Sequence, residues 1–296
     1  MGNKKLKIAV LGPLGTYTHE AAFQKFGQET EYDERNSIAD VFRALSPEVP
    51  LGVVPQENSI FGIVIETYDI LRSPTANFIR GEITLKVEHC LLVRKGVKLN
   101  QIQRVMSHEQ ALGQCRDFIA EKLPSASAVK TPSTAAAAKA LLDSPPDCAA
   151  ICSSICATLF EGLEVLFIGI QNDQSNFTRF FIVSHSQHTL LPPIIEANRQ
   201  MKALILMPTP PVLVPDPNKS RGIIEHLGLL GLFATRIDRR PSLSATPFGS
   251  VYFVEVQKYS TQVVLGNDVE SWTRELENSV SRVNYAGGVA ILVGIW

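Results

Sequence analysis

The sequence predicts an α/β fold followed by a smaller α+β unit, and three observations lead there. From residue 7 to residue 183, short apolar runs alternate with amphipathic or alanine-rich stretches, the pattern of strands and helices in a mainly parallel sheet. Residues 186–200 then change character, from Ser-Gln-His-Thr to Leu-Leu-Pro-Pro, as a linker does. Beyond it the order reads strand, helix, strand, strand, helix, strand, which fits helices on one face of a small antiparallel sheet. A length of 296 residues suits two domains, expected at 1–190 and 200–296.

The elements follow in order. Residues 7–11 form a buried strand ended by Gly12-Pro13, and helical spacing runs over 18–26. A second helix covers 38–45 with Ser37 as its N-cap. Residues 51–54 are a strand ended by Pro55, and 63–71 are helical. Residues 83–93 read as one long strand or two pieces. A strand at 102–106 leads into a single helix at 108–122, and the alanines of 134–142 make a strong helix. Strands at 149–152 and 177–183 flank a short helix at 154–160. In the second half, 203–207, 234–238, 250–256 and 290–296 are strands, 208–217 is a proline-rich loop, and 221–232 and 269–286 are helices.

Composition narrows the function. Charged residues are 19% of the chain, below the usual ~25%, which argues against long disordered tracts. The 28 basic and 29 acidic residues lack the footprint of a nucleic-acid binder. No segment approaches the roughly 20 apolar residues that span a bilayer, and the run after Lys7 is too short for a signal-peptide core. A cytoplasmic protein with no membrane partner is expected. The five cysteines contain no CxxC, so buried reduced thiols are expected and no metal site is assigned.

One arrangement recurs: a strand ends, hydroxyl residues follow, and a helix begins. It occurs at Gly15-Thr16-Tyr17-Thr18, Ser107, Ser133-Thr134 and Ser153-Ser154. Singly, each is an ordinary N-cap. Together, helix N-termini at the strand ends of an α/β sheet make a crevice suited to a small anion. Neither GxxxxGK nor GxGxxG occurs there, which disfavours nucleotides. Pro55-Gln56-Glu57-Asn58-Ser59 reads as a polar recognition loop at a strand end. Arg179, inside an apolar strand, needs a carboxylate partner from protein or ligand.

At these residues the chain resembles the prephenate dehydratases. The ordered segments are Gly12-Pro13-Leu14-Gly15-Thr16-Tyr17-Thr18 with Ala21-Ala22; Pro55-Gln56-Glu57-Asn58-Ser59 with Gly62; Ser107-His108-Glu109-Gln110-Ala111-Leu112 with Gln114-Cys115; Ser133-Thr134-Ala135-Ala136-Ala137; and Asn176-Phe177-Thr178-Arg179-Phe180. They cover about residues 5–185, and Glu109 stands where the family usually has proline. The resemblance implies a two-lobed catalytic domain like a type II periplasmic binding protein, with the active site in its cleft, followed by an ACT-like regulatory domain. Thr235-Arg236-Ile237-Asp238-Arg239-Arg240-Pro241 is similar to the ACT signature that ends in Ser-Arg-Pro, with Arg239 at the Ser. The family's phenylalanine-binding Gly-Ala-Leu is absent near Asn218-Lys219-Ser220.

The implied reaction takes prephenate to phenylpyruvate with loss of water and carbon dioxide, without cofactor or metal, in phenylalanine biosynthesis. By resemblance, Thr178 hydrogen-bonds the leaving oxygen and Glu57 is a second candidate acid. Arg179 and the helix ends at Thr16, Ser107 and Ser133 hold carboxylates. Asn58 and Gln114 orient the ring hydroxyl or a carboxylate, and Phe180 walls the ring. Tyr17, Ser59, Gln110 and Thr134 complete the substrate-binding set. Phenylalanine is the implied effector, and a homodimer or homotetramer the implied assembly. With no chorismate-mutase helix ahead of residue 5, a monofunctional enzyme is expected. The alternatives are an arogenate dehydratase and a non-enzymatic small-anion sensor carrying an ACT module.

Overall fold

A computed structural model describes residues 5–73, 77–191, 201–209, 222–243, 247–258 and 267–296, the side chains of 267 and 268 excepted. The chain forms two compact units. One comprises Met1–Val64 with Ile83–Phe181, and the other Ile65–Glu82 with Ile182–Trp296. In chain order the elements begin β1 (Lys7–Leu11), α1 (Tyr17–Phe26), β2 (Glu31–Arg35), α2 (Ile38–Ala44), β3 (Leu51–Asn58), β4 (Gly62–Ile63), α3 (Ile65–Leu71) and β5 (Phe78–Lys86). Next come β6 (Cys90–Arg94), β7 (Arg104–Ser107), α4 (Glu109–Gln114), α5 (Arg116–Lys122), β8 (Ser127–Lys130) and α6 (Thr134–Leu141). They are followed by β9 (Cys148–Cys152), α7 (Ile155–Leu159), β10 (Leu163–Ile168) and β11 (Phe177–Ser184). The chain closes with β12 (Lys202–Thr209), α8 (Ile223–Leu230), β13 (Phe233–Pro241), β14 (Ser250–Gln257), α9 (Asn267–Tyr285) and β15 (Ile291–Ile295).

In the first unit β11, β3, β1 and β2 are neighbours in that order, with β4 folded back on β3. A second sheet runs β10-β6-β9-β7-β8. The fold is α/β, but the sheets are mixed rather than mainly parallel. β1 pairs parallel with β2 and β3, and β7 parallel with β8 and β9, while β6 runs antiparallel to both β9 and β10. The central strands of the second sheet are apolar throughout because both faces are covered. Cys90, Leu92, Cys148 and Ala150 pack on one side with Ala137, Ala138 and Leu141 of α6. Leu91, Val93, Ala149 and Ile151 pack on the other with Ala111, Leu112 and Cys115. All five cysteines are buried and reduced.

The differences from expectation have physical reasons. The strand at 51–54 continues through Pro55 to Asn58, so Pro55–Ser59 is mostly strand and not a loop. Pro55 lies past the pairing of Leu51–Val53 with β1, where a missing N–H breaks no bond to that strand. β4 then returns antiparallel on Glu57 and Asn58. The single helix at 108–122 is two, broken at Cys115 (φ −111°, ψ 17°), just after Gly113 with its low helix propensity. The stretch at 83–93 is two strands. β2, β8 and β10 are edge strands that the pattern does not reveal. β2 reads Glu-Tyr-Asp-Glu-Arg, the charged character that blunts a sheet edge, and β8, Ser-Ala-Val-Lys, is exposed along its length.

The second unit runs β12 α8 β13 β14 α9 β15, with β13-β14-β12-β15-β5 as the strand order. β12 is antiparallel to β14 and β15, and alternate residues Ala203, Ile205 and Met207 face Trp272, Leu276 and Val283 of α9. β12 passes through Pro208 to Thr209, beyond the end of its pairing with β15 at Leu206. The rest of the proline-rich loop, Arg221, most of the linker, and Asn218-Lys219-Ser220 lie outside the described residues. Among the described residues, no helix is long and apolar enough to cross a membrane.

Candidate active site

The first unit contains a cavity of about 430 Å³, within the ~300–1,000 Å³ range usual for small-molecule sites. Its wall is assembled from five local structures. The first is the turn after β1. Gly15 has φ +100°, and a Cβ there would come 2.9 Å from Cys156 Sγ, so only glycine fits. The Gly15 N–H donates to His19 Nδ1 at 3.2 Å, and the Thr16 hydroxyl donates back to the Leu11 carbonyl at 3.0 Å. These bonds start α1 with Thr16, Tyr17 and Thr18 on the cavity wall.

The second and third are the starts of α6 and α4. Ser133 caps α6 by accepting the Ala136 N–H at 3.0 Å, and Ser133 and Thr134 line the cavity. His108, rather than Ser107, caps α4, with Nδ1 accepting the Gln110 N–H at 3.3 Å. Gln110, Ala111 and Gln114 then share one face of α4 and meet the cavity.

The fourth is the end of β3 against β11. Asn58 is fully engaged. Its Nδ2 donates to Asn176 Oδ1 (2.7 Å), Thr178 Oγ1 (2.9 Å) and the Phe177 carbonyl (3.2 Å), and its Oδ1 accepts the N–H groups of Ile60 (3.0 Å) and Phe61 (3.1 Å). Thr178 Oγ1 therefore receives a hydrogen bond, which leaves its own proton to be donated into the cavity that it lines. Phe180, Phe61, Pro55 and Val87 supply apolar wall. The fifth is His89, in the connection between β5 and β6, whose ring joins Tyr17 and Gln114.

The cavity thus gathers Thr16, Tyr17, Asn58, Gln110, Gln114, Ser133, Thr134, Thr178 and Phe180 from the residues singled out in the sequence. It does not gather the other four. Ser107 is fully buried, and its hydroxyl donates to the Ile151 carbonyl at 2.6 Å, tying β7 to β9. Ser59 donates to the Ser175 carbonyl and accepts the Phe177 N–H. Arg179 has a protein carboxylate as its partner: it forms an ion pair with Glu57 across β3 and β11, neither side chain lining the cavity. Glu109, the family departure, is exposed and paired with Lys130.

Sequence reasoning missed His89, His108, Asn176 and Phe61. The available signal for His89 was an imidazole next to Glu88 in the largely apolar run from Val87 to Val93, and it is 2% exposed. Burial lowers the His89 pKa from its ordinary value and holds that of the Tyr17 phenol well above 10, so both groups are neutral near pH 7. No Lys, Arg, Asp or Glu is among the described residues that line the cavity. It offers hydroxyls, amides, imidazoles and the positive ends of α1 and α6, which suits an anion with polar substituents.

Comparison with known proteins agrees. A family model for prephenate dehydratase matches residues 8–188. A bifunctional chorismate mutase/prephenate dehydratase of Pseudomonas aeruginosa is 32% identical over 276 residues, covering 91% of this chain and 70% of the relative. The enzyme of the same name from Aquifex aeolicus is 29% identical over 285 residues, covering 96% and 73%. The solved prephenate dehydratase of Arthrobacter aurescens, in complex with L-Phe, is 26% identical with a TM-score of 0.74, covering 98% of this chain and 89% of that one.

Proposed function

The chain belongs to the prephenate dehydratase family, hydro-lyases of phenylalanine biosynthesis, and from that premise we propose that its cavity is where prephenate becomes phenylpyruvate. The observation that carries this reading is the convergence of Thr178, Tyr17, Gln114 and the starts of α1 and α6 on one hollow.

The reaction breaks two bonds. As the ring carboxylate leaves as carbon dioxide, its C–C electron pair enters the ring, and the ring C–O bond breaks at the opposite carbon. The departing oxygen takes up one proton, supplied in net terms by the solvent, and leaves as water. The Thr178 hydroxyl, held as an acceptor by Asn58, donates its proton in a hydrogen bond to that oxygen as charge develops. The starts of α1 and α6, with Thr16, Ser133 and Thr134, hold the carboxylates. Gln110 and Gln114 orient the substrate, and Phe180 with Phe61 covers the ring. Glu57 and Arg179 brace β3 against β11 beneath Asn58 and Thr178. Ser59 and Ser107 act from behind the wall through their backbone partners.

The two sheets of the first unit support a two-lobed catalytic domain of the periplasmic-binding type within 1–190, the stretch Ile65–Glu82 and the residues from Ile182 falling in the other unit. The βαββαβ order, with Thr235–Pro241 on β13, supports an ACT-like regulatory domain over 200–296. L-phenylalanine is its effector, by analogy with the L-Phe complex of the Arthrobacter relative. A side-by-side homodimer or homotetramer and a cytoplasmic setting complete the proposal.

The test is phenylpyruvate formation from prephenate by the purified chain, with and without L-phenylalanine, and with arogenate in parallel. Prephenate is the expected substrate, because no described carboxylate lines the cavity to meet the arogenate ammonium group. Binding of prephenate without turnover, or a higher kcat/KM on arogenate, overturns the reading.

A further inference from the structure

We propose that His89 is the positioning residue of this cavity, setting through its two ring nitrogens the hydrogen-bonding direction of both Tyr17 and Gln114 toward the bound dianion. The proposal rests on the functional reading above. Tyr17 Oη and His89 Nδ1 lie 2.6 Å apart, and His89 Nε2 and Gln114 Oε1 also 2.6 Å. All three side chains border the cavity. A carbonyl oxygen cannot donate, so Nε2 carries the ring proton, and Nδ1 is left as the acceptor of the Tyr17 O–H. Two consequences follow at the wall. The Tyr17 oxygen turns its lone pairs outward, as an acceptor for a substrate hydroxyl. The Gln114 amide, its oxygen occupied by the imidazole, turns its N–H groups outward, as donors for a carboxylate or a leaving oxygen.

The ring is held from its backbone as well. The His89 N–H donates to Gln171 Oε1 at 2.9 Å, and the His89 carbonyl accepts the Ile170 N–H at 3.0 Å. The next residue along, Asn172, donates its N–H to the Gln114 carbonyl at 2.7 Å. One segment, 170–172, thus fixes both ends of the His89–Gln114 contact. Tyr17 packs edge-on to the imidazole, with ring centroids 5.6 Å apart.

Protonation would reverse the arrangement. An imidazolium donates from both nitrogens, so Nδ1 would instead donate to the Tyr17 oxygen, taking up one of its lone pairs and turning the phenol proton away from the ring, toward the cavity or the Glu88 carbonyl 3.4 Å away. The surrounding ionisable groups are Tyr17 and Glu20 of α1, Glu88 and Cys90 beside His89 in sequence, Cys115, Cys152, and His108 on the cavity wall. Burial opposes the charged ring, so the reversal belongs to pH values below the ordinary histidine value.

The test measures kcat and KM for prephenate across pH 5–9 in the full chain, its His89→Asn, His89→Ala and Tyr17→Phe variants, and the Tyr17→Phe/His89→Ala double variant. Melting curves report folding. Asparagine places an amide atom near Nδ1 and does not titrate. In the wild type, kcat/KM falls on the acid side with a midpoint below 6.5. In His89→Asn that acid limb is lost while part of the rate lost in His89→Ala returns. Tyr17→Phe and His89→Ala each lower kcat/KM about tenfold, and the double variant is no worse than the poorer single, as for residues acting as one unit. An unchanged acid limb in His89→Asn, or single losses that multiply in the double variant, overturns the proposal while leaving the functional reading intact. A wild-type chain that makes no phenylpyruvate overturns both.

Discussion

Removal of the Thr178 hydroxyl separates catalysis from folding. Thr178 is half-buried, and its Oγ1 is one of three acceptors for the Asn58 amide, the others being Asn176 Oδ1 and the Phe177 carbonyl. Thr178→Ala therefore leaves Asn58 satisfied and costs about 1 kcal/mol of stability or less, the net worth of one neutral hydrogen bond. The catalytic loss is larger. A donor that strengthens its bond only as charge develops contributes about 10²–10³ in kcat, or roughly 3–4 kcal/mol. The assay is phenylpyruvate absorbance at saturating prephenate, with thermal melts on the same samples. Thr178→Ala is expected to melt near the wild type and to turn over about 10²–10³ times more slowly. Thr178→Ser, which keeps the hydroxyl, recovers most of the rate. A folded Thr178→Ala with kcat within about threefold of wild type would refute the assignment, because ~0.7 kcal/mol is less than any transition-state donor should supply.

The remaining predictions concern the scaffold and pH. Arg179→Ala removes the Arg179–Glu57 ion pair at a site where the two side chains are 20% and 22% exposed, and should cost about 1–3 kcal/mol, less than a fully buried pair; an unchanged melting temperature contradicts the bracing role. Ser107→Ala strips the Ile151 carbonyl of a buried donor and should destabilise by about 1–2 kcal/mol with KM unaltered; a large rise in KM at constant stability would put Ser107 at the substrate instead. His19, 1% exposed, has its pKa lowered by burial to about 4, and its neutral Nδ1 accepts the Gly15 N–H. Above pH 6.5 it is neutral whether the chain is folded or not, and its contribution is complete. As pH falls from 6.5 toward 4, the unfolded chain takes up a proton that the folded one does not, and up to about 3 kcal/mol of stability is lost. The fall in melting temperature over that range should be shallower in His19→Gln, and parallel curves contradict the argument.

The parts of the site that could be read from sequence are those written in turn grammar. Gly15 before Thr16, and Ser133 before an alanine run, specify a tight turn and a capped helix whatever surrounds them, so α1 and α6 begin where expected. Ser37 caps α2 for the same reason. Features set by tertiary pairing were not legible. Pro55 looks like a terminator until the end of the β1 pairing is known, and the charged β2 looks like a loop until it is seen at a sheet edge. Ser107 resembles the other helix-start hydroxyls, yet its strand turns it inward to Ile151. His89 lies in a connection with no motif of its own, and its significance comes from partners 72 and 25 residues away.

The most direct test places the substrate. A crystal structure of the full chain with a saturated, unreactive analogue of prephenate, bearing both carboxylates and the ring hydroxyl, should show the hydroxyl within hydrogen-bonding distance of Thr178 Oγ1 and the carboxylates at the starts of α1 and α6. Occupancy of another hollow, or an orientation that turns the hydroxyl away from Thr178, would contradict the account.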